Sequence, residues 1–428
     1  MNLESTLRIS ILNLARGVNQ FPVYKNLRQN QFLLNKKDIE EYWERKSKNI
    51  LKFHFENNKV YRDFLYQNGI DKLDKCDFKD IPIIGKETLR YPDAILKKEV
   101  MAYCHSGGSS GIPFSYSTSY GALVHLWPNL WRAFSVAGYM PGEKLAMIAG
   151  PSLFGNRSLK RKIYDYVSNF EVLSAFDMNE SKLHSYYKLI KENNIKYIYG
   201  YTSAILIFLD YLRINKLHLK LKGIFTTSET IITSVYFLAK EYCDCDVFDI
   251  YGANDGGILA FECEAHDGYH ISSERTHLEI IDNNIILTDL LNTSFPFIRY
   301  KVGDMSSEKT LIKEKCTCGR SLFRLKHISG RVNSYIEDLD NKKIHTQFFS
   351  HVFYSEIKIK QFQIINEQSN IIVNIIPLNG DVDKSFFDKK YLAIFKKRFK
   401  KEVVIKLNLP VEKLTNQKTP ILIDRTLK

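Results

Sequence analysis

Apolar residues recur at three- and four-residue steps from Ile39 to Tyr66 among many charges, a spacing that predicts helix. Residues 1–100 read as a mostly helical lead-in, with Pro82 and Pro92 breaking its last segments. A helix-like run follows from Tyr120 to Val136, interrupted at Pro128 and closed by Gly138, Pro141 and Gly142. From Lys144 the pattern alternates. Leu145–Ile148, Ile195–Tyr199, Gly223–Thr226 and Val247–Tyr251 are short apolar runs that read as buried strands. Glu180–Asn194, Ser203–Ile214 and Ile231–Tyr242 carry the helical period. Strands alternating with helices of this length pair in parallel through crossovers. Ligands in such sheets lie beyond the carboxyl ends of the strands, so the loops after Ala149, Tyr199, Thr227 and Tyr251 are candidate site walls.

After about residue 265 the texture turns to short strands. Leu278–Ile281 and Ile285–Thr288, joined through Asp282-Asn283-Asn284, predict a hairpin. Beyond Gly330-Arg331 a strand, a helix over 345–357, strands at Gln361–Ile365 and Ile371–Ile376, a helix over Ser385–Phe399 and a strand at Val403–Leu407 form a small α+β unit. No internal repeat or long low-complexity tract is present.

Composition adds little to that outline. A chain of 428 residues with 44% apolar and 25% charged residues is ordinary globular protein, long enough for two or three domains. No apolar run is long enough to cross a bilayer, and Met1 to Gln20 lacks the order of a secretory signal, so a cytoplasmic protein is expected. Seven cysteines argue against a disulfide framework. The net charge of +13 is the one oddity. Basic surface attracts nucleic acid, anionic membranes, phosphorylated small molecules or acidic carriers. A solvated lysine-rich face is the bland explanation, even for the cluster from Phe395 to Lys401. No zinc-finger, helix-turn-helix or RRM signature accompanies the charge, which removes nucleic acid from the expected partners.

The stretch from His105 to Phe114 contains the first candidate chemistry. Ser106, Gly107, Gly108, Ser109, Ser110 and Gly111 combine permissive backbone angles, converging N–H groups and hydroxyl donors, which suits a phosphate. A flexible surface loop would have the same composition. Three further segments follow in order: Tyr251-Gly252-Ala253-Asn254-Asp255-Gly256-Gly257, Ile298-Arg299-Tyr300-Lys301-Val302-Gly303-Asp304, and Gly330-Arg331-Val332-Asn333.

With these four segments the chain resembles the adenylate-forming superfamily from roughly residue 50 to its end. The nearest likeness is to the phenylacetate–CoA ligase-like enzymes, especially their capsular-polysaccharide (CapK-type) branch. The resemblance implies an α/β fold. A large N-terminal domain, residues 1–330, would hold mainly parallel sheets flanked by helices and a strand-rich segment. A small, mobile α+β domain would occupy residues 331–428.

It also implies roles for residues. The loop from Ser106 to Gly111 would bind ATP phosphates, although Ile112 stands where the family usually has a polar or charged residue. Tyr251, Gly252 and Ala253 would border adenine, with Ser228 and Glu229 on the same side. Asn254, in place of a hydroxyl residue, would reach a phosphate. Asp255 would help hold Mg²⁺, one methylene shorter than the usual Glu. Asp304 would accept hydrogen bonds from the ribose hydroxyls, since a carboxylate offers two acceptors to two adjacent donors. Arg331 would lie near the ribose or α-phosphate. Asn333 would take the hinge position, and Lys418 would be the catalytic lysine near the C-terminus, preceded by Gln417 where the family has Gly. Lys413 competes for that assignment. Arg299, Asp304 and Arg331 would serve equally well in an ion-pair network. The acid would sit beside the alternating strands, against Tyr201, Thr202 and Ser203.

Cys316-Thr317-Cys318-Gly319 is a tight Cys-x-Cys turn, and Cys263 and His270 lie upstream. Two thiolates on a turn with another Cys and a His can complete a tetrahedral site. The spacing matches a structural zinc site in part of the resembled family, with His270 fitting better than His266. Buried unliganded cysteines are the alternative, and Cys243 and Cys245 have no evident partner.

The expectation is an enzyme that joins Mg²⁺-ATP and a small carboxylic acid into acyl-AMP and pyrophosphate. The acyl group would pass to CoA, an acyl carrier protein or an amine, with surface polysaccharide as the setting. ATP, Mg²⁺, structural Zn²⁺ and CoA are the cofactors this implies, and a homodimer is open. Two alternatives stay open: an enzyme that stops at adenylation, and a catalytically silent nucleotide-binding or scaffold protein of a polysaccharide assembly.

Overall fold

The computed structural model describes residues 3–90, 92–106, 114–149, 159–175, 178–328, 335–337, 339, 343–345, 349, 352–353, 358–377, 383–412 and 420–426. Four helices lead: α1 (Leu3–Arg16), α2 (Gln20–Leu33), α3 (Lys36–Asn57) and α4 (Lys59–Gln67). The apolar period from Ile39 to Tyr66 thus covers two helices. Asn58 ends the first and caps the second, its side-chain oxygen accepting the Tyr61 N–H at 3.1 Å. A single turn, α5 (Lys86–Leu89), precedes the antiparallel pair β1 (Ala102–Ser106) and β2 (Phe114–Thr118).

The next helix, α6 (Tyr120–Phe134), runs unbroken through Pro128, contrary to the interruption expected there. Proline removes one backbone bond. Burial of Trp131, Phe134, Val124 and the proline itself keeps the helix intact, at roughly 1.5–3 kcal/mol for each large apolar side chain.

The alternation appears with one helix and one strand beyond those predicted, α7 (Leu159–Val167) and β4 (Phe170–Ser174): β3 (Leu145–Ala149), then α7 and β4, then α8 (Glu180–Glu192), β5 (Tyr197–Tyr201) and α9 (Thr202–Ile214). It continues with β6 (Gly223–Thr227), α10 (Thr233–Cys243) and β7 (Asp246–Ala253). Short strands follow: β8 (Ile258–Glu262), β9 (Tyr269–Ile271), β10 (Thr276–Ile281), β11 (Asn284–Asp289), β12 (Tyr300–Met305), β13 (Leu311–Ile312) and β14 (Arg324–Leu325). In the C-terminal part lie β15 (Tyr335–Glu337), β16 (Lys343–His345), β17 (Ile359–Asn366) and β18 (Asn370–Pro377). Then come α11 (Lys384–Phe387) and α12 (Ala393–Lys396), joined by a π turn, and β19 (Glu402–Leu407) and β20 (Leu422–Asp424).

The chain forms two compact units. The first comprises Met1–Glu143, Lys162–Asn169 and Phe248–Ile328. Its strands run antiparallel in the order β13-β14-β9-β8-β7, with a second antiparallel sheet β10-β11-β12. The hairpin expected near residue 282 is the β10–β11 pair. Asp282 and Asn283 form its turn with φ of 49° and 62°, as a two-residue hairpin turn requires. Trp43, Tyr61, Phe114, Phe295, Phe297, Tyr300 and Phe323 are buried in one core here.

The second unit comprises Lys144–Arg161, Phe170–Val247 and Ser329–Lys428. Its parallel sheet runs β6-β5-β3-β4. Gly200 is required in β5, because a Cβ there would stand 2.1 Å from the Ile148 carbonyl oxygen. A second sheet runs β19-β18-β17-β20, and Phe349, Phe353, Phe387, Tyr391, Phe395 and Phe399 pack in its core. Within this unit Lys360 of β17 makes an ion pair with Asp210 of α9, which also holds Arg213 at 2.9 Å. Among the described residues, no helix is long and apolar enough to cross a membrane.

Candidate functional site

The segment from Tyr251 to Gly257 turns from β7 into β8. Gly252 and Ala253 complete β7, Asn254 and Asp255 occupy the turn, and the Asn254 carbonyl accepts the Gly257 N–H at 3.2 Å. Gly256 and Gly257 have φ of +98° and +74°, a region that disfavours other residues. A Cβ on Gly257 would also stand 2.3 Å from Asp289 Oδ2, which is paired with Arg275 at 3.0 Å.

Two carboxylates named from the sequence lie along this turn and the neighbouring β12. Asp304, near the end of β12, accepts a hydrogen bond from the Tyr251 hydroxyl at 2.7 Å. Asp255 meets the other end of the strand, where Tyr300 donates its hydroxyl to Asp255 Oδ2 at 3.2 Å. The same oxygen receives the Lys86 ammonium at 2.8 Å. Burial, and then the adjacent Asp255 carboxylate, push the Tyr300 phenol far above its ordinary range, so it stays a donor.

Backbone pairing places Lys86. The Ile84 N–H donates to the Arg299 carbonyl at 3.1 Å and the Ile84 carbonyl accepts from the Lys301 N–H at 2.9 Å. Ile84 therefore lies alongside Tyr300, and Lys86 follows two residues later. Sequence reasoning missed Lys86, and a single lysine among 61 basic residues offers no signal by itself.

Arg299 belongs to the scaffold. It sits at a φ of +45°, pairs with Glu279 at 3.1 Å, and donates to the Lys79 and Ile81 carbonyls. Ser106 is the last residue of β1, its backbone paired with Phe114. Gly107, Gly108, Ser109, Ser110 and Gly111 lie outside the described residues, as do Arg331, Asn333, Lys413 and Lys418.

In the second unit, the acid-side and adenine-side candidates touch. Tyr201 ends β5, and Thr202 and Ser203 begin α9. The Glu229 carboxylate accepts the Ser203 N–H at 2.7 Å and its hydroxyl at 3.1 Å. The Thr202 hydroxyl donates to the Glu229 carbonyl at 3.2 Å. Glu229 is thus a negative charge at a helix N-terminus, where unsatisfied N–H groups and the helix dipole favour it. Ser228 is exposed with φ of +73°.

Cys263, His270, Cys316 and Cys318 converge in the first unit, with their ligand atoms all within 4.8 Å of one another. Cys263 Sγ lies 3.9 Å from Cys316 Sγ, and Cys318 Sγ lies 3.4 Å from His270 Nε2. An ion bound tetrahedrally to sulfur and nitrogen at ordinary zinc distances gives edges of about 3.8 Å and about 3.6 Å. The donor set fits zinc. Burial, then the Arg320 and Arg324 charges, push His270 down to about 3, which keeps its imidazole neutral. Burial alone would raise the Cys316 thiol, but hydrogen bonds from Cys318 outweigh it and bring the thiol below its usual range. Gly319, at φ of +88°, lets the turn close, its N–H reaching the Cys316 carbonyl at 2.9 Å. His266 instead stacks on Phe248 at 5.5 Å.

No protein-family model matches the chain. It is similar to Protein CapK of Staphylococcus aureus, at 23% identity over 360 residues, covering 80% of this chain and 79% of that protein. It is 24% identical over 281 residues to the indoleacetate–lysine synthetase of Pseudomonas savastanoi, covering 63% of this chain and 68% of the relative. It is 24% identical over 319 residues to the phenylacetate–coenzyme A ligase of Thermus thermophilus, covering 68% and 70%. The fold matches a solved 2-hydroxyisobutyryl-CoA ligase in its postadenylation state in complex with 2-HIB-AMP, with a TM-score of 0.69 at 16% identity over 93% of this chain and 92% of the other. In sequence the chain is thus similar to phenylacetate–CoA ligase-like proteins of the adenylate-forming superfamily, and it shares the fold of a solved acid–CoA ligase of that kind.

Proposed function

We propose that this protein activates a small carboxylic acid with Mg²⁺-ATP and passes the acyl group to a thiol or amine. A carboxylate oxygen attacks the α-phosphorus, the α–β anhydride bond breaks, and pyrophosphate leaves. The acceptor sulfur or nitrogen then attacks the acyl carbonyl, and AMP leaves. The reading rests on the two carboxylates disposed along β12, Asp304 beside Tyr251 and Asp255 beside Tyr300. Asp304 takes the ribose hydroxyls, Tyr251 flanks the base with Gly252 and Ala253, and Asn254 reaches a phosphate. Asp255 offers Mg²⁺ one carboxylate, which suffices where substrate phosphates supply other ligands. Arg331, Asn333 and Lys418 take the α-phosphate, hinge and catalytic-lysine roles on the strength of the resemblance, with the domain boundary at residues 330/331.

Catalysis of this kind is mostly positioning and charge stabilisation, since a weak nucleophile must approach a shielded phosphorus. Tyr201, Thr202 and Ser203 wall the acid. The relatives are named for both acceptor types, an amino acid in one and coenzyme A in the other. A place in surface-polysaccharide synthesis is proposed from likeness to CapK. Zn²⁺ on Cys263, His270, Cys316 and Cys318 is structural, because four protein ligands leave no open position.

Exchange of labelled pyrophosphate into ATP, dependent on an added acid, tests the reading across a panel of small acids. Acid-dependent exchange supports it. Nucleotide binding with no exchange for any acid in the panel would favour the silent nucleotide-binding protein instead.

A further inference from the structure

The structure places a cation at the site that no sequence motif supplied. Lys86 lies in the first unit with its ammonium 2.8 Å from Asp255 Oδ2, and the Tyr300 hydroxyl shares that oxygen at 3.2 Å. The ammonium also stands 5.8 Å from the centre of the Phe114 ring. Phe114 is the first residue of β2, where the chain leaves the Gly/Ser segment, and its ring stacks on Tyr300 at 6.5 Å and 9°. Lys86 therefore lies near Phe114, the first described residue after that segment, and beside the carboxylate proposed for magnesium. The ribose carboxylate, Asp304, is near the other end of β12.

The Lys86 side chain is 22% exposed and that of Asp255 is 13% exposed, so the pair is largely shielded yet still open to an incoming ligand. What Lys86 supplies is charge. Asp255 alone would repel a polyphosphate, and the ammonium neutralises it while remaining within reach of solvent. The held geometry comes from Ile84, bonded on both sides to the start of β12, and from Leu89, buried at the end of α5.

We propose that Lys86 is the polyphosphate-binding cation of this site, held ready on Asp255 and engaging the β- or γ-phosphate of bound ATP. The proposal rests on the nucleotide-site reading above and deepens it. With Mg²⁺-ATP bound, Asp255 would hold the metal, and the Lys86 ammonium would be free to turn to the phosphates. ATP should feel the loss of Lys86, and AMP, which lacks both outer phosphates, should not.

Titration calorimetry of the parent, Lys86→Met and Lys86→Arg with Mg²⁺-ATP and separately with AMP tests this. Lys86→Met should bind ATP at least about tenfold more weakly and AMP within about threefold of the parent, and Lys86→Arg should recover most of the ATP affinity. Equal losses for both nucleotides would make Lys86 a general support of the site and overturn the assignment. Unchanged ATP affinity in Lys86→Met would overturn it alone. A folded parent that binds neither nucleotide would overturn the adenylate-forming reading and this assignment together.

Discussion

Asp304 is half-buried near the end of β12, so its carboxylate is reachable while the Tyr251 hydroxyl orients it from 2.7 Å. Hydrogen bonds to a charged acceptor are worth roughly 1.5–3 kcal/mol. Asp304→Ala should therefore weaken ATP binding about tenfold or more, measured by calorimetry with the melting temperature as a check on folding. Tyr251→Phe, which removes only an orienting donor, should cost less. A folded Asp304→Ala protein that binds ATP as the parent does would remove Asp304 from the site. Two buried histidines set a different expectation. Burial pushes His54 down to about 4, although its Nε2 faces the Asn292 carbonyl at 3.0 Å. Burial, then the Arg299 and Lys313 charges, push His277 down to about 4 as well. In the unfolded chain both titrate near 6.5. Between those values the unfolded state binds more protons, so stability is complete above about pH 6.5 and is lost as pH falls toward 4. The urea midpoint should be lower at pH 5 than at pH 7.5. His54→Gln should show a smaller fall over that interval, and an identical fall would exclude His54 as a contributor.

At the scale of elements, the Cys316–Gly319 turn is fastened to its surroundings in several ways. Arg320 pairs with Glu264 at 2.9 Å, and the Ser321 N–H donates to the Gln31 carbonyl at 2.7 Å. Metal at Cys263, His270, Cys316 and Cys318 would join the end of β8, the strand β9 and this turn. Its removal should therefore lower stability more than it changes chemistry. Protein purified without affinity-tag metals should contain about one zinc per chain, and strong chelation should lower the melting temperature. A metal-free preparation with parental stability would refute the centre. The same scale shows what patterning conveys. Asp282-Asn283 specifies its hairpin because the turn conformation is local to those residues. Helix α6 passes Pro128 because buried side chains outweigh one missing backbone bond, which a local rule does not weigh.

For the whole molecule, the test is whether one chain separates two half-reactions. Lys418 is proposed as the charge that stabilises the carboxylate and α-phosphate during adenylation. Lys418→Ala should slow acyl-AMP formation by about a hundredfold or more, in line with losing one preorganised charge. Transfer from preformed acyl-AMP should change much less. Single-turnover assays of each half-reaction measure both. Equal losses in the two, or a loss seen only with Lys413→Ala, would take Lys418 out of the mechanism.

The sequence by itself determined the order of elements. Apart from α7 and β4, apolar runs at strand length alternate with helical periods from β3 to β7 because each period reflects which side of a local element meets the core. Residue type and spacing likewise singled out Tyr251, Asp255 and Asp304 as nucleotide-site candidates and Cys263, His270, Cys316 and Cys318 as candidate metal ligands, since these carry the chemistry. Only the tertiary structure decided which of these groups touch. Lys86 reaches Asp255 because Ile84 pairs with the start of β12, and Glu229 meets Ser203 because a loop after β6 returns to the start of α9. Such contacts join residues far apart in the chain. They follow from strand pairing and burial summed over many residues, and no local period records them.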